Sequence, residues 1–142
     1  MEDKDNIAYC GLYCGNCAFK AKVIPAASLL FGEMKSAGFE GIMGFMPDGN
    51  EFWRFLKGTA ESGDASCKNG CSDPGCRIRI CAAERGAEFC ALCAEYPCGL
   101  FDEFLAKHAT LKDDNDLLKK NGADEFVRMQ KERRSKGFVY GK

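Results

Sequence analysis

Ten cysteines in 142 residues are the side chains of this sequence best suited to chemistry. They fall in two groups: Cys10, Cys14 and Cys17 near the start, then Cys67, Cys71, Cys76, Cys81, Cys90, Cys93 and Cys98. Zinc takes four thiolate or imidazole donors in a tetrahedron. Two cysteines with two residues between them reach one ion readily, because a tight turn brings their sulfurs together. The chain holds two such pairs, Cys14-Gly-Asn-Cys17 and Cys90-Ala-Leu-Cys93, and a looser one, Cys67-Lys-Asn-Gly-Cys71. Gly15 and Asn16 tolerate the left-handed backbone that such turns often use.

Cys76 and Cys81 do not form a pair of this kind. Five residues on one helix leave them about 140° apart around its axis. Asp73-Pro74-Gly75 makes a turn, so Cys76 belongs to a loop and a helix runs from about Arg77 to Arg85, with Gly86 beyond its end. Ile78, Cys81 and Ala82 share its inward face. The paired Cys14, Cys17, Cys90 and Cys93 rank first as ligands, and Cys67, Cys71, Cys76 and Cys81 second. Cys10 and Cys98 are left over, as supporting thiols or as further ligands of a cluster.

An even number of cysteines also suits a disulfide framework. Residues 1–6 are too acidic to open a signal peptide, however, and no run is long and apolar enough to span a bilayer. A cytoplasmic protein is expected, and thiols in a reducing compartment point to metal or redox chemistry. Buried cysteine packed as a small hydrophobe suits Cys81 alone, not seven thiols in a turn-rich stretch. Four thiolates on a divalent ion leave about two negative charges to offset, and Lys20, Lys22, Lys68, Arg77, Arg79 and Arg85 lie near cysteines in sequence.

The elements that must position these thiols are helical. Residues 18–66 form a cysteine-free helical insert. Pro25 suits the first turn of a helix that ends at Gly38, with Ala26, Leu29, Leu30, Met34 and Ala37 at helical spacing. Asn50 caps a short helix carrying Phe52, Phe55 and Leu56, and Gly58 ends it. Residues 99–137 carry three more helices. Leu100, Phe101, Phe104 and Leu105 form one stripe, Thr110 to Asp113 caps the next helix up to Asn121-Gly122, and Asp124 to Lys136 is the last. Strand signals are almost absent. The expected fold is therefore mainly α: a small helical domain over residues 1–142, its irregular cysteine-rich loops (7–17 and 67–98) stapled by metal. The hydrophobic share is 46% and the formal net charge −1, which exclude a disordered tail and give no bulk attraction to nucleic acid or membrane.

The run Tyr9-Cys-Gly-Leu-Tyr-Cys-Gly-Asn-Cys17 resembles the opening of an uncharacterised prokaryotic family, domain of unknown function 3795. So does Cys76-Arg-Ile-Arg-Ile-Cys-Ala82, followed by Arg85-Gly86, Cys90-Ala-Leu-Cys93 and Tyr96-Pro-Cys98. The resemblance covers residues 7–17 and 67–130, and implies metal binding, most often thought to be zinc. It implies no reaction.

The first functional expectation is a zinc-stapled binding or interaction module, with two zinc ions and another protein as partner. It carries no catalytic residue, since the chain has one histidine and no Ser-His-Asp set, phosphate loop or dinucleotide fingerprint. The alternative is an iron–sulfur protein in electron transfer or accessory to a redox enzyme. Cys10-x3-Cys14-x2-Cys17 has the spacing of radical S-adenosylmethionine enzymes, but the strand–helix alternation of their barrel is missing. The ferredoxin pattern fails too, because Pro97 precedes Cys98 instead of following it. Thiol redox work by a two-residue-spaced pair lacks its usual strand-then-helix context. Residues 128–142 carry six basic side chains, a possible nucleic-acid patch, though a solvated final helix with cations near its end is preferred. His108 reads as a helix-terminal residue and Trp53 as core. The apolar stretch Phe39 to Met46 is expected to pack on the Pro25 helix.

Overall fold

The computed structural model describes residues 3–63, 65–70 and 73–141. Among them the chain is mainly helical and has no strand. An antiparallel bridge pairs Ile7 with Tyr13. The α-helices are α1 (Ile24–Ser36), α2 (Gly49–Ala60), α3 (Arg77–Glu84), α4 (Asp102–Lys107) and α5 (Leu111–Ser135), with short 3-10 turns between. None is long and apolar enough to cross a membrane. The chain divides into two compact units: Met1–Cys17 with Ala65–Lys142, and Ala18–Asp64.

The first unit is built around the N-terminal segment. Ile7 and Tyr13 enter a core with Phe89, Ala91, Leu118, Phe126 and Val127. Ala8 and Cys10 enter a second with Ile78, Ala82, Cys90, Phe101 and Leu111. The segment is thus held between α5 and α3. Helix α5 supplies both cores, Leu111 to the second and Leu118, Phe126 and Val127 to the first; it is two helical segments meeting at Gly122, whose φ of 82° and ψ of 175° are not helical. The break falls where Asn121-Gly122 predicts it. The Thr110 cap does not form: Thr110 already has near-helical φ −88° and ψ −10°, which turns its hydroxyl away from the first N–H groups. The stripe Leu100 to Leu105 is likewise divided, into a 3-10 turn at Gly99–Phe101 and then α4.

The second unit is a helical hairpin. Residues Phe19–Val23 make a π-helical turn that leads into α1, and Gly38 takes φ 81° just past its end. Helices α1 and α2 run antiparallel: the Ser28 hydroxyl donates to the Ala60 carbonyl at 3.0 Å, while Phe31 meets Trp53 at 4.9 Å between ring centroids. Trp53 is therefore packed within the hairpin, and the 3-10 turns of Phe39–Gly41 and Met43–Phe45 pack on α1 and α2, respectively. Two expectations for α2 need correction. It starts at Gly49, after Asp48 in a left-handed conformation (φ 55°), with no Asn50 cap. It also passes through Gly58 to Ala60. A glycine inside a helix costs only about 1 kcal/mol, and packing on α1 with the Ser28 bond to the terminal carbonyl offsets that.

Candidate metal centre

The two tight cysteine pairs share one local structure. Cys14–Asn16 and Cys90–Leu92 are 3-10 turns, each closed by the second cysteine's N–H donating to the first cysteine's carbonyl, at 3.1 Å for Cys17 and 2.9 Å for Cys93. Each follows an extended aromatic residue, Tyr13 or Phe89, and both aromatics lie in the same core. The turns are joined by the Cys90 N–H, which donates to the Tyr9 carbonyl at 2.8 Å.

Helix α5 clamps the first turn through buried polar side chains. Asn16 Nδ2 donates to Gln130 Oε1 at 2.8 Å, and Gln130 Nε2 donates to Asp114 Oδ2 at 3.0 Å. Arg133 Nη1 donates to both Asp114 oxygens at 2.7 and 2.8 Å. Asn115 Nδ2 donates to the Cys10 carbonyl at 2.9 Å. Gly11 lies directly on Asn115: it has φ 91°, and a Cβ there would overlap the Asn115 side-chain amide. The C-terminal segment closes over the same turn, with Tyr13 N–H donating to Tyr140 Oη and Tyr140 N–H to the Asn16 carbonyl, both at 3.0 Å. Asn16, Asp114, Asn115 and Gln130 are almost wholly buried. Sequence reasoning missed them as site-forming residues. Asn16 reads only as a turn residue, and the one signal for Asp114, Asn115 and Gln130 is polar residues on the inward face of an otherwise amphipathic helix.

The thiols fall into two sets. Cys81 from α3, Cys90 and Cys93 from the second turn, and Cys98 from the following loop line one cavity of about 30 Å³ with Ile78, Ala82 and Phe101. Burial pushes the Cys90 thiol up to about 12, and the neighbouring Cys81, Cys93 and Cys98 add to that. On the rim, Arg85 pairs with Glu95 at 2.8 Å. Glu95, then Cys81 and Cys93, hold its guanidinium more firmly protonated. Cys98 thus joins the paired cysteines, where its sequence position had left it over.

The second set gathers at the N-terminal segment. Cys10 is buried, its thiol pushed up to about 12 by desolvation, with Cys67, Cys76 and Cys90 contributing. Cys14, Cys67 and Cys76 pack against the same core, and the Cys67 N–H donates to Cys14 Sγ at 3.5 Å. Cys76 stands just before α3, as the Asp73-Pro74-Gly75 turn predicts, and packs at the N-terminal segment, while Cys81 lies within the helix and lines the cavity. Cys17 is partly buried at the far end of its turn, and Cys71 lies outside the described residues. No described cysteine forms a disulfide with another. As placed, no three described Cys, His, Asp or Glu side chains stand close enough together to hold a metal ion. The donor chemistry of the first set nevertheless suits zinc: four thiols around one small cavity and a cation on its rim.

Other candidates resolve into structure. Lys68 places its ammonium over Phe89, 4.3 Å from the ring centroid, and over Tyr9 at 5.3 Å. His108 follows α4 and packs beside Phe104 and Tyr140; burial, then Lys107, lowers its pKa. In the basic C-terminal stretch, Arg128 pairs with Glu125 and Glu132, Lys131 with Asp3, Arg133 with Asp114 and Lys136 with Glu132. Arg134 reaches the Gly15 carbonyl at 3.4 Å. Arg133, on the buried Asp114, is built into the fold, whereas Arg128, Lys131 and Lys136 form exposed surface pairs. Lys142 lies outside the described residues.

The model of one protein family, described as Protein of unknown function (DUF3795), matches residues 6–103, which include all ten cysteines. No curated protein and no solved structure matches the chain.

Proposed function

We propose, for a chain that belongs to the DUF3795 family of proteins of unknown function, a role as a cytoplasmic zinc-binding interaction module without catalytic activity. One observation carries the reading: Cys81, Cys90, Cys93 and Cys98, from three separate segments, line a single cavity. These four residues would hold one ion. A second would be held from among Cys10, Cys14, Cys17, Cys67, Cys71 and Cys76, where the Cys67 N–H already donates to Cys14 Sγ. Binding would draw sulfurs together that now stand apart. Zinc held by four thiolates has no open coordination position, so it would supply folding energy and not reactivity. Arg85 would offset part of the excess negative charge.

Elemental analysis of protein purified without oxygen tests this. Zinc is expected, with one equivalent lost in Cys90→Ser and in Cys93→Ser. Iron with acid-labile sulfide and visible charge-transfer absorption would replace this reading with an iron–sulfur one. Protein without bound metal would overturn both.

A further inference from the structure

The apolar surface of this protein is distributed very unevenly. Of eleven exposed large hydrophobic side chains among the described residues, nine belong to the hairpin unit and only Ile80 and Leu92 to the other. Phe55 is 73% and Phe45 89% exposed. The nine are all more than two-fifths exposed. At roughly 200 Å² for a large apolar side chain, they present about 1,000 Å². That is the total over all nine; Val23, Leu30, Phe52 and Phe55 alone present about 400 Å² of it, the size of the largest apolar patches on monomers, which often mark interaction sites.

Helical geometry puts much of this surface on one side. In α1 the inward row is Ile24, Ala27, Phe31 and Met34, all buried or partly so. The row one position earlier, Val23, Ala26 and Leu30, is exposed. In α2 the inward row is Trp53 and Leu56, and the exposed row one position earlier is Phe52 and Phe55. A step of one residue rotates a row by about 100° in the same sense on each helix. Because α1 and α2 are antiparallel, equal rotations carry both exposed rows to the same side of the hairpin.

We propose that this face of the hairpin is the interface of a homodimer, in which the hairpins of two chains pack into a four-helix bundle. The occupant is a second copy because the bordering charges are self-complementary. Lys22 stands near the start of α1 and Glu33 near its end, flanking Ala26 and Leu29. A two-fold axis between Ala27 and Ser28 sets Lys22 of one copy against Glu33 of the other. The same axis sets the small Ala26 against the large Leu29. Isologous pairing of this kind is the commonest way soluble proteins associate.

Sedimentation velocity on the full chain tests the proposal. The expected mass is twice the 15.6 kDa of the chain, with Phe55→Glu and Leu30→Glu giving monomers of unchanged helix content. Lys22→Glu or Glu33→Lys should weaken the dimer about tenfold, since two symmetric exposed pairs turn repulsive, and the double exchange should restore it. A wild-type chain that stays monomeric at high concentration would overturn the proposal, the face then being covered by another protein or another part of the chain. So would a dimer indifferent to Phe55→Glu and Leu30→Glu. Both results are independent of metal content, so this inference and the zinc reading stand or fall separately.

Discussion

The two units of the chain use their side chains in opposite ways. The cysteine-bearing unit is largely loops and 3-10 turns, yet among the described residues it holds the buried polar set and most of the buried apolar one. The hairpin is almost wholly helical, yet its buried apolar side chains are only Ile24, Ala27, Met43 and Leu56. Regular backbone and a filled core are thus separate properties. A helix satisfies its own backbone polar groups and persists with one side open. Irregular loops leave N–H and C=O groups over, and stay folded only where something else ties them. Here the ties are Asn16 to Gln130, Asn115 to the Cys10 carbonyl, and Cys90 to the Tyr9 carbonyl. The proposed thiolate–metal bonds would be further ties in the same unit.

That contrast predicts its largest effect on metal removal. A chelator should unfold the cysteine-bearing unit and spare the hairpin, because structural zinc contributes on the order of 10 kcal/mol to the segment it closes. Hydrogen exchange would show protection lost at residues 7–17 and 77–101 but retained in α1. Equal loss in both units would break the comparison.

Glycine substitutions measure the same difference at two matched positions. Gly11 and Gly38 both have left-handed φ, but a Cβ on Gly11 meets Asn115 while one on Gly38 meets open space. Gly11→Ala should cost about 3–4 kcal/mol, combining backbone strain with the steric clash, and Gly38→Ala about 1 kcal/mol. Urea unfolding of the two variants gives both values. The polar clamp comes next. Asp114→Ala leaves Gln130 and the partly buried Arg133 without their acceptor, for a loss of about 2–3 kcal/mol in the same assay.

Smaller effects sharpen the assignment of individual groups. Arg85→Ala should weaken zinc binding a few-fold in a competition titration, by removing a cation beside Cys81 and Cys93, while Lys35→Ala on the hairpin should not change it. His108 has a folded pKa below its unfolded value, so its contribution to stability is present above the unfolded pKa near 6.5 and is lost as pH falls. Thermal melts of His108→Gln from pH 7 to pH 5 should show a shallower decline than wild type. An identical decline would assign the acid sensitivity to other groups.

Much of the helical framework is legible in local signals. Gly38, Gly86 and Gly137 stand just past the ends of α1, α3 and α5 with left-handed φ, as helix stops should. The break at Gly122 and the start of α3 after Asp73-Pro74-Gly75 follow equally local chemistry. The failures are the Asn50 and Thr110 caps and the Gly58 stop. In each, the competing influence came from outside the segment: the turn that holds Gly49 under the Met43 carbonyl, the backbone leading from α4 into Thr110, and the packing of α2 on α1.

By itself the sequence determined the chemistry available: ten thiols, two tight turns to present them, a turn that sets Cys76 before the helix carrying Cys81, and a family assignment resting on those same motifs. Only the tertiary structure decided which thiols become neighbours. Cys98 joins Cys81, Cys90 and Cys93, and Cys10 joins Cys14, Cys67 and Cys76, because the chain folds back on itself across the insert and α5 draws the N-terminal segment onto α3. Spacing governs contacts between residues a turn apart. Contacts between distant segments depend on which buried surfaces and polar groups find partners, and that is settled by the whole fold at once.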